Sequence, residues 1–157
     1  MARSKMIQAQ IDALKDLQGA SVEAGWFETD RYSNGELVAH RAQKLENGFT
    51  SQLTLPNGQV VEARTPPRPF MRYASLLFSA DRRNIERNIA KKMFSGKITA
   101  EQALGQIGLA MEAKIVTSIR DGNWTPNAPY TVKKKGFDKP LIETGHMWQT
   151  VSSKVVK

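Results

Sequence analysis

The sequence predicts an α+β fold: a small antiparallel sheet packed against helices, with two longer helices in the second half. Three observations predict it. Short alternating runs bounded by turn residues fill the first 63 residues. Three prolines interrupt the chain between Thr65 and Phe70. Beyond them, apolar residues recur at spacings of three and four over most of residues 73–121.

Each element has a local reason. Ile7, Ile11, Leu14 and Leu17 predict a helix over residues 4–18 that Gly19 ends. Val22, Ala24 and Trp26 alternate with Glu23, Gly25 and Phe27, as in a strand covered on both faces. Ser33 and Glu36 have capping-box spacing, which predicts a helix start at Ser33; the stripe Val38, Ala42, Leu45 continues it to Gly48. Gln52–Leu55 and Val60–Ala63 flank Pro56-Asn57-Gly58-Gln59, a turn signal that predicts a hairpin.

Thr65-Pro66-Pro67-Arg68-Pro69-Phe70 cannot be regular structure, because prolines lack the N–H donor and push their neighbours extended. It forms a stiff strap over 64–72. The next helix starts at about Tyr73 or Asp81 and runs to Phe94, with Phe78, Ile85, Ile89 and Met93 inward. Arg83, Arg87 and Lys91 lie about 200° round the wheel from that stripe and form an outward basic line. Ser95-Gly96 breaks the helix, and Thr99 with Gln102 caps the following one, which continues through Leu104, Ile107, Met111, Ile115 and Ile119 to Arg120. Residues 122–157 are predicted irregular and aromatic, with a short helix at 144–149 and a final strand at 151–156. The whole chain, 1–157, reads as one domain.

The chain has 157 residues, 23 Lys+Arg against 15 Asp+Glu, a net charge of +8 and no cysteine. Its 40% hydrophobic content suffices for a core, and by surface scaling a chain of this length buries roughly 70% of its unfolded surface. A disulfide scaffold, a thiolate nucleophile and any cysteine-ligated metal are excluded. No run approaches the ~20 apolar residues of a membrane span. Met1–Gln8 has no apolar core of a signal peptide, so a soluble cytoplasmic product is expected. The charge is unevenly placed: residues 1–63 carry 6 basic and 8 acidic side chains, whereas 64–97 carry 9 basic against Asp81 and Glu86. A second basic excess lies in 122–157, densest at Lys133-Lys134-Lys135. Such patches suit a polyanion or an acidic protein surface, and equally a solvated helix face.

Catalytic patterns are missing. His40 and His146 have no His, Asp or Glu at metal-ligand spacing, and the sequence has no Gly-x-Ser-x-Gly elbow, dinucleotide fingerprint or P-loop. Gly105-Gln106-Ile107-Gly108 has the glycine spacing of a nucleic-acid-gripping loop, but it lies in an apolar-periodic helix with no basic residue between the glycines. Close helix packing accounts for it better. No catalytic, cofactor or metal residue is expected.

Three patches resemble a family. Arg64-Thr65-Pro66-Pro67-Arg68-Pro69-Phe70-Met71-Arg72 resembles the Pro-Pro-Arg-Pro-Phe-Leu/Met-Arg strap of the tail-completion, or virion-morphogenesis, proteins of long-tailed phages. Ile119 to Gly136, containing Asn123-Trp124-Thr125-Pro126-Asn127, is similar to the family's stretch after its two helices. Lys139-Pro140-Leu141-Ile142-Glu143-Thr144-Gly145-His146-Met147 is similar to its Lys-Pro-Leu-Ile-Asp-Thr-Gly-x-Leu/Met, with Glu143 where Asp is usual. The likeness covers 64–150; residues 1–63 match mainly in layout.

The resemblance implies a non-enzymatic virion protein without cofactor. It would be one subunit of a ring, a hexamer, seated between the head connector or stopper and the tail terminator or tube, and assembled in the host cytoplasm. Inter-subunit or partner contacts are expected from Pro67, Arg68, Pro69, Phe70, Arg72, Trp124, Pro126, Tyr130, Lys135, Pro140 and Leu141. Phe70 and Trp148 also fit roles as core anchors, with Arg68 and Arg72 exposed beside Phe70; Trp124 fits either role. Arg83, Arg87, Lys91, Lys133 and Lys134 are expected to face packaged DNA in the channel or an acidic partner. The alternative is a free nucleic-acid-binding domain using 64–97. A hydrolase with an unrecognised site is a third reading with no motif behind it.

Overall fold

The computed structural model describes residues 2–157. Among them six helices and four strands follow in the order α1 (Ala2–Leu17), β1 (Ser21–Gly25), α2 (Val38–Asn47), β2 (Phe49–Thr54), β3 (Val60–Thr65), α3 (Phe70–Phe94), α4 (Ala100–Asp121), α5 (Pro129–Lys135), α6 (His146–Gln149) and β4 (Ser152–Val156). The strands form two antiparallel ribbons, β1 with β4 and β2 with β3. The α+β class holds, and α3 and α4, of 25 and 22 residues, are its long helices. No helix among the described residues is long and apolar enough to cross a membrane.

The chain divides into two compact units. The first comprises Met1–Gly25, Ser75–Lys114 and Val151–Lys157. Its core is Ile89, Met93, Ala100 and Ala103, with Ala13, Leu17, Ile85 and Ile107 among the residues packed round it. α1 therefore faces this core along Ala13 and Leu17, and Gln10 Nε2 donates to Phe94 O at 3.3 Å on the same side. The helix is thus turned so that Ile7, Ile11 and Leu14 of the sequence stripe remain exposed. Lys114 pairs with Asp81 and ties α4 to α3. The capping box of α4 forms as its spacing predicts: Gln102 N donates to Thr99 Oγ1 at 3.1 Å, and Thr99 N to Gln102 Oε1 at 2.9 Å.

β1 and β4 pair from Ser21↔Val156 to Gly25↔Ser152, with Glu23 opposite Lys154 at 3.4 Å. The two glycines of α4 behave differently. A Cβ on Gly108 would stand 2.4 Å from Ser153 Oγ and 2.9 Å from Ser153 Cβ, whereas one on Gly105 would meet nothing within 4 Å. Close packing explains Gly108 alone.

The second unit comprises Trp26–Ala74 and Ile115–Thr150. Val38, Ala42, Phe70, Ala74, Ile115, Ile119, Leu141 and Met147 are its buried apolar side chains. β2 and β3 pair from Phe49↔Thr65 to Thr54↔Val60, and the turn closes through Leu55 N to Gln59 O at 2.8 Å. Phe70 is fully buried, meets the Trp26 ring edge-on at 6.1 Å, and its carbonyl accepts from Ser118 Oγ at 2.7 Å.

Three local expectations are corrected here. α3 starts at Phe70, earlier than Tyr73, because the Glu46 carboxylate from α2 accepts from Met71 N at 2.7 Å and Arg72 N at 3.2 Å, capping the first turn from outside it. Ser33–Glu36 is a turn and not a helix start: Asn34 Oδ1 accepts from Glu36 N, and α2 begins after Leu37. Residues 129–135 are helical where irregular chain is expected; Pro129 opens α5, three lysines end it, and Gly136 closes it with φ 82°.

Candidate functional site

The site is built in the second unit around the proline strap. Pro66, Pro67 and Pro69 leave few backbone donors there, and those of Arg68 and Phe70 are both used. Arg68 N donates to Leu45 O at 3.0 Å, and Phe70 N to Arg68 O at 2.7 Å. Gly48, at φ 74°, lies so close beneath the strap that a Cβ would stand 2.8 Å from Pro67 N and 2.9 Å from Thr65 O.

Arg68 corrects the expectation of an exposed side chain, being only 4% exposed. Its Nε donates to Thr125 O at 2.9 Å, and its Nη2 to Pro126 O at 3.2 Å and Asn127 Oδ1 at 3.3 Å. Asn127 is held in turn by Asp138 Oδ1, which accepts from its N and Nδ2 at 3.1 Å each. Burial pulls the Arg68 pKa below the ordinary arginine value, and the charge of Asp138 opposes that shift. The guanidinium stays protonated, because an arginine has a wide margin above neutrality.

The other expected residues separate by exposure. Pro67, Pro69, Arg72, Pro126 and Tyr130 are exposed, Pro140 is half-buried, and Phe70 and Leu141 are buried. The side chains of Arg68, Phe70 and Leu141 are thus enclosed by their own unit, and the contact role expected of them is not available in this conformation. Leu141 also has φ 64°, a left-handed backbone that a bulky side chain rarely adopts. Trp124 is half-buried; its Nε1 donates to Ser118 O at 2.9 Å and its ring meets Tyr73 edge-on at 5.9 Å. Trp148 lies under the Arg120 guanidinium at 5.1 Å. Lys133 and Lys134 are exposed on α5, and Arg83, Arg87 and Lys91 on α3 within the first unit.

One open groove of about 690 Å³ runs through this unit. Arg41, Lys44, Arg64, Arg68 and Lys135 line it together with Glu36 and Glu143. Arg41 binds Glu36 at 2.7 Å, lies 3.9 Å from Glu143 and covers the Tyr32 ring at 4.8 Å. His146, half-buried, meets the Tyr32 ring at 5.0 Å and bonds Arg31 O through Nε2 at 2.9 Å. Lys135 Nζ donates to Lys139 O at 2.8 Å and approaches the Phe137 ring at 4.9 Å. Burial lowers the Lys135 pKa from its ordinary 10.5; Glu143 and Asp138 raise it, while Arg68 lowers it further.

Sequence reasoning missed Glu36, Arg41, Glu46, Asn127 and Asp138 as site-building residues. No local spacing marks Glu46, Asn127 or Asp138, whose partners are 25, 59 and 11 residues away. Among the described residues no group of three or more His, Asp and Glu side chains could hold a metal ion. What the arrangement can do is bind: it offers fixed cations, apolar walls and stiff chain. No protein-family model matches the chain, and no curated protein and no solved structure matches it either.

Proposed function

We propose that this chain is a structural, non-enzymatic virion protein of a long-tailed phage neck, whose hexameric ring completes the tail and joins it to the head connector. The observation that carries the reading is the Arg68 clamp. The three stretches on which the family resemblance rests lie in one unit, where Arg68 of the first binds Thr125, Pro126 and Asn127 of the second. Leu141 of the third lines the same groove as Arg68 and Asn127. The likeness therefore falls on residues that build one site together. Stiff, proline-rich chain loses little entropy on docking, and Pro67, Pro69, Pro126 and Tyr130 are left on the surface to dock.

Native mass spectrometry of the purified chain, alone and with isolated tails, tests the reading. A closed ring is expected, and lysates of a phage lacking the protein should hold unjoined heads and tails. Monomer alone, together with normal joining in the deletion lysate, overturns it.

A nucleic-acid-binding domain is the second reading, favoured by the exposure of Arg83, Arg87 and Lys91 on one line of α3. It requires duplex affinity with a steep salt dependence, a log–log slope of about −5 for six neutralised phosphates. Absence of binding at low salt eliminates it.

A further inference from the structure

The groove of the second unit holds more positive charge than its own acids can answer. Glu36 is taken by Arg41 at 2.7 Å and Lys44 at 3.8 Å, and Glu143 lies 3.9 Å from Arg41. Arg64, Arg68 and Lys135 have no carboxylate within 4 Å among the described residues. Arg68 is 4% exposed, and its Nε and Nη2 meet only neutral acceptors. Lys135 has one neutral acceptor, the Lys139 carbonyl, and the exposed Arg64 side chain has no hydrogen bond or ion pair among the described residues. Five cations thus line one concavity against two carboxylates, and neither carboxylate is within ion-pair distance of Arg64, Arg68 or Lys135. Burying positive charge without a counter-charge costs free energy that an incoming carboxylate recovers.

We infer that this groove is a docking site for an extended, acidic peptide segment of a partner protein, whose carboxylates meet Arg64 and Lys135, while the enclosed Arg68 adds its positive field from beneath. Two features favour peptide over nucleic acid. Between the cations the walls are apolar, through Leu45, Phe49, Ala63, Ile142 and Met147, which suits alternating side chains. The volume of about 690 Å³ lies in the range of ligand clefts, far short of what a duplex needs. Leu141 is held in its left-handed conformation at the same wall, in keeping with strain kept where a surface is shaped for binding. The inference concerns the groove alone and stands apart from the neck reading, since a monomer could dock the same segment.

Fluorescence polarisation of the full chain with a labelled peptide of about twelve residues, alternating Glu and Val, tests it. A Gln–Val peptide of equal length and a single-stranded oligonucleotide serve as comparison probes. The Glu–Val peptide is expected to bind, and amide chemical-shift changes should fall on the groove. Arg64→Glu, which removes no internal bond, should weaken binding about tenfold. Lys135→Gln should weaken it less, and Arg83→Glu on α3 should leave it unchanged. The inference is overturned if the Gln–Val peptide binds equally well, if Arg83→Glu weakens binding as much as Arg64→Glu, if the oligonucleotide occupies the groove more tightly than the peptide, or if no shift appears at saturating peptide.

Discussion

Arg68 Nε donates to the carbonyl oxygen of Thr125 at 2.9 Å, joining positions 57 residues apart in the chain. The guanidinium is enclosed, and three acceptors, two of them main-chain carbonyls, depend on its planar fork. Arg68→Ala is expected to destabilise the second unit by about 3 kcal/mol, the scale of losing hydrogen bonds from a charged donor. Arg68→Lys should recover less than half of that, since a single ammonium cannot reach the same acceptors. Urea unfolding followed by tryptophan fluorescence measures both, because Trp124 directly precedes Thr125, the first of the two residues whose carbonyls are clamped.

Phe70 anchors the strap on its other side. Phe70→Ala should cost about 4 kcal/mol, since it empties a fully enclosed site against Trp26. Phe70→Leu should cost about 2 kcal/mol, and thermal unfolding separates the two.

The glycine pair of α4 gives a prediction of opposite signs. Gly108→Ala must displace Ser153 and is expected to destabilise by about 1–3 kcal/mol. Gly105→Ala enters open space within a helix and should stabilise by about 0.5–1 kcal/mol. Equal effects in denaturant titration would contradict the packing of β4 on α4.

Thr99 and Gln102 satisfy one another's backbone donors at the start of α4. Thr99→Ala should cost about 1 kcal/mol, and Thr99→Asp should restore most of it. Hydrogen exchange of the first-turn amides reports the local effect.

Lys135 supplies a pH dependence. Its pKa in the fold lies below the ordinary 10.5, chiefly through burial, so between the two values the unfolded chain holds more proton. Stability from this group therefore rises with pH across that window, and the penalty is complete below the folded value. Wild type should gain on Lys135→Met as pH is raised from 7 towards 10.5. Parallel profiles in urea would show that Lys135 is not penalised by the fold.

Helices and strands with their own period were legible in the sequence: α4 with its capping box, the β2–β3 hairpin and its Asn57-Gly58 turn, and β4. α5 was not read from the sequence, although Pro129 at its start, Lys133–Lys135 at its end and Gly136 beyond are ordinary start and stop signals; among the surrounding prolines and aromatics they read as irregular chain. The start of α3 was not legible, because its cap is Glu46, on another helix. Ser33 and Glu36 show the reverse error: their spacing fits a cap, but the Glu36 carboxylate answers Arg41 instead. The strap was visible as stiff chain. That Arg68 turns inward was not, because its acceptors are main-chain carbonyls and an amide far along the sequence, and neither leaves a mark in side-chain pattern.

The β1–β4 ribbon has a consequence for synthesis. β1 and β4 pair although nearly all of the described chain lies between them, so β1 is synthesised well before its partner. During that interval its hydrogen-bonding edge is open to neighbouring nascent chains. Glu23 at the centre of β1 places a charge on that edge, which discourages premature pairing until Lys154 arrives to meet it. In the finished ribbon the two side chains stand 3.4 Å apart on the surface, where such a pair adds little to stability.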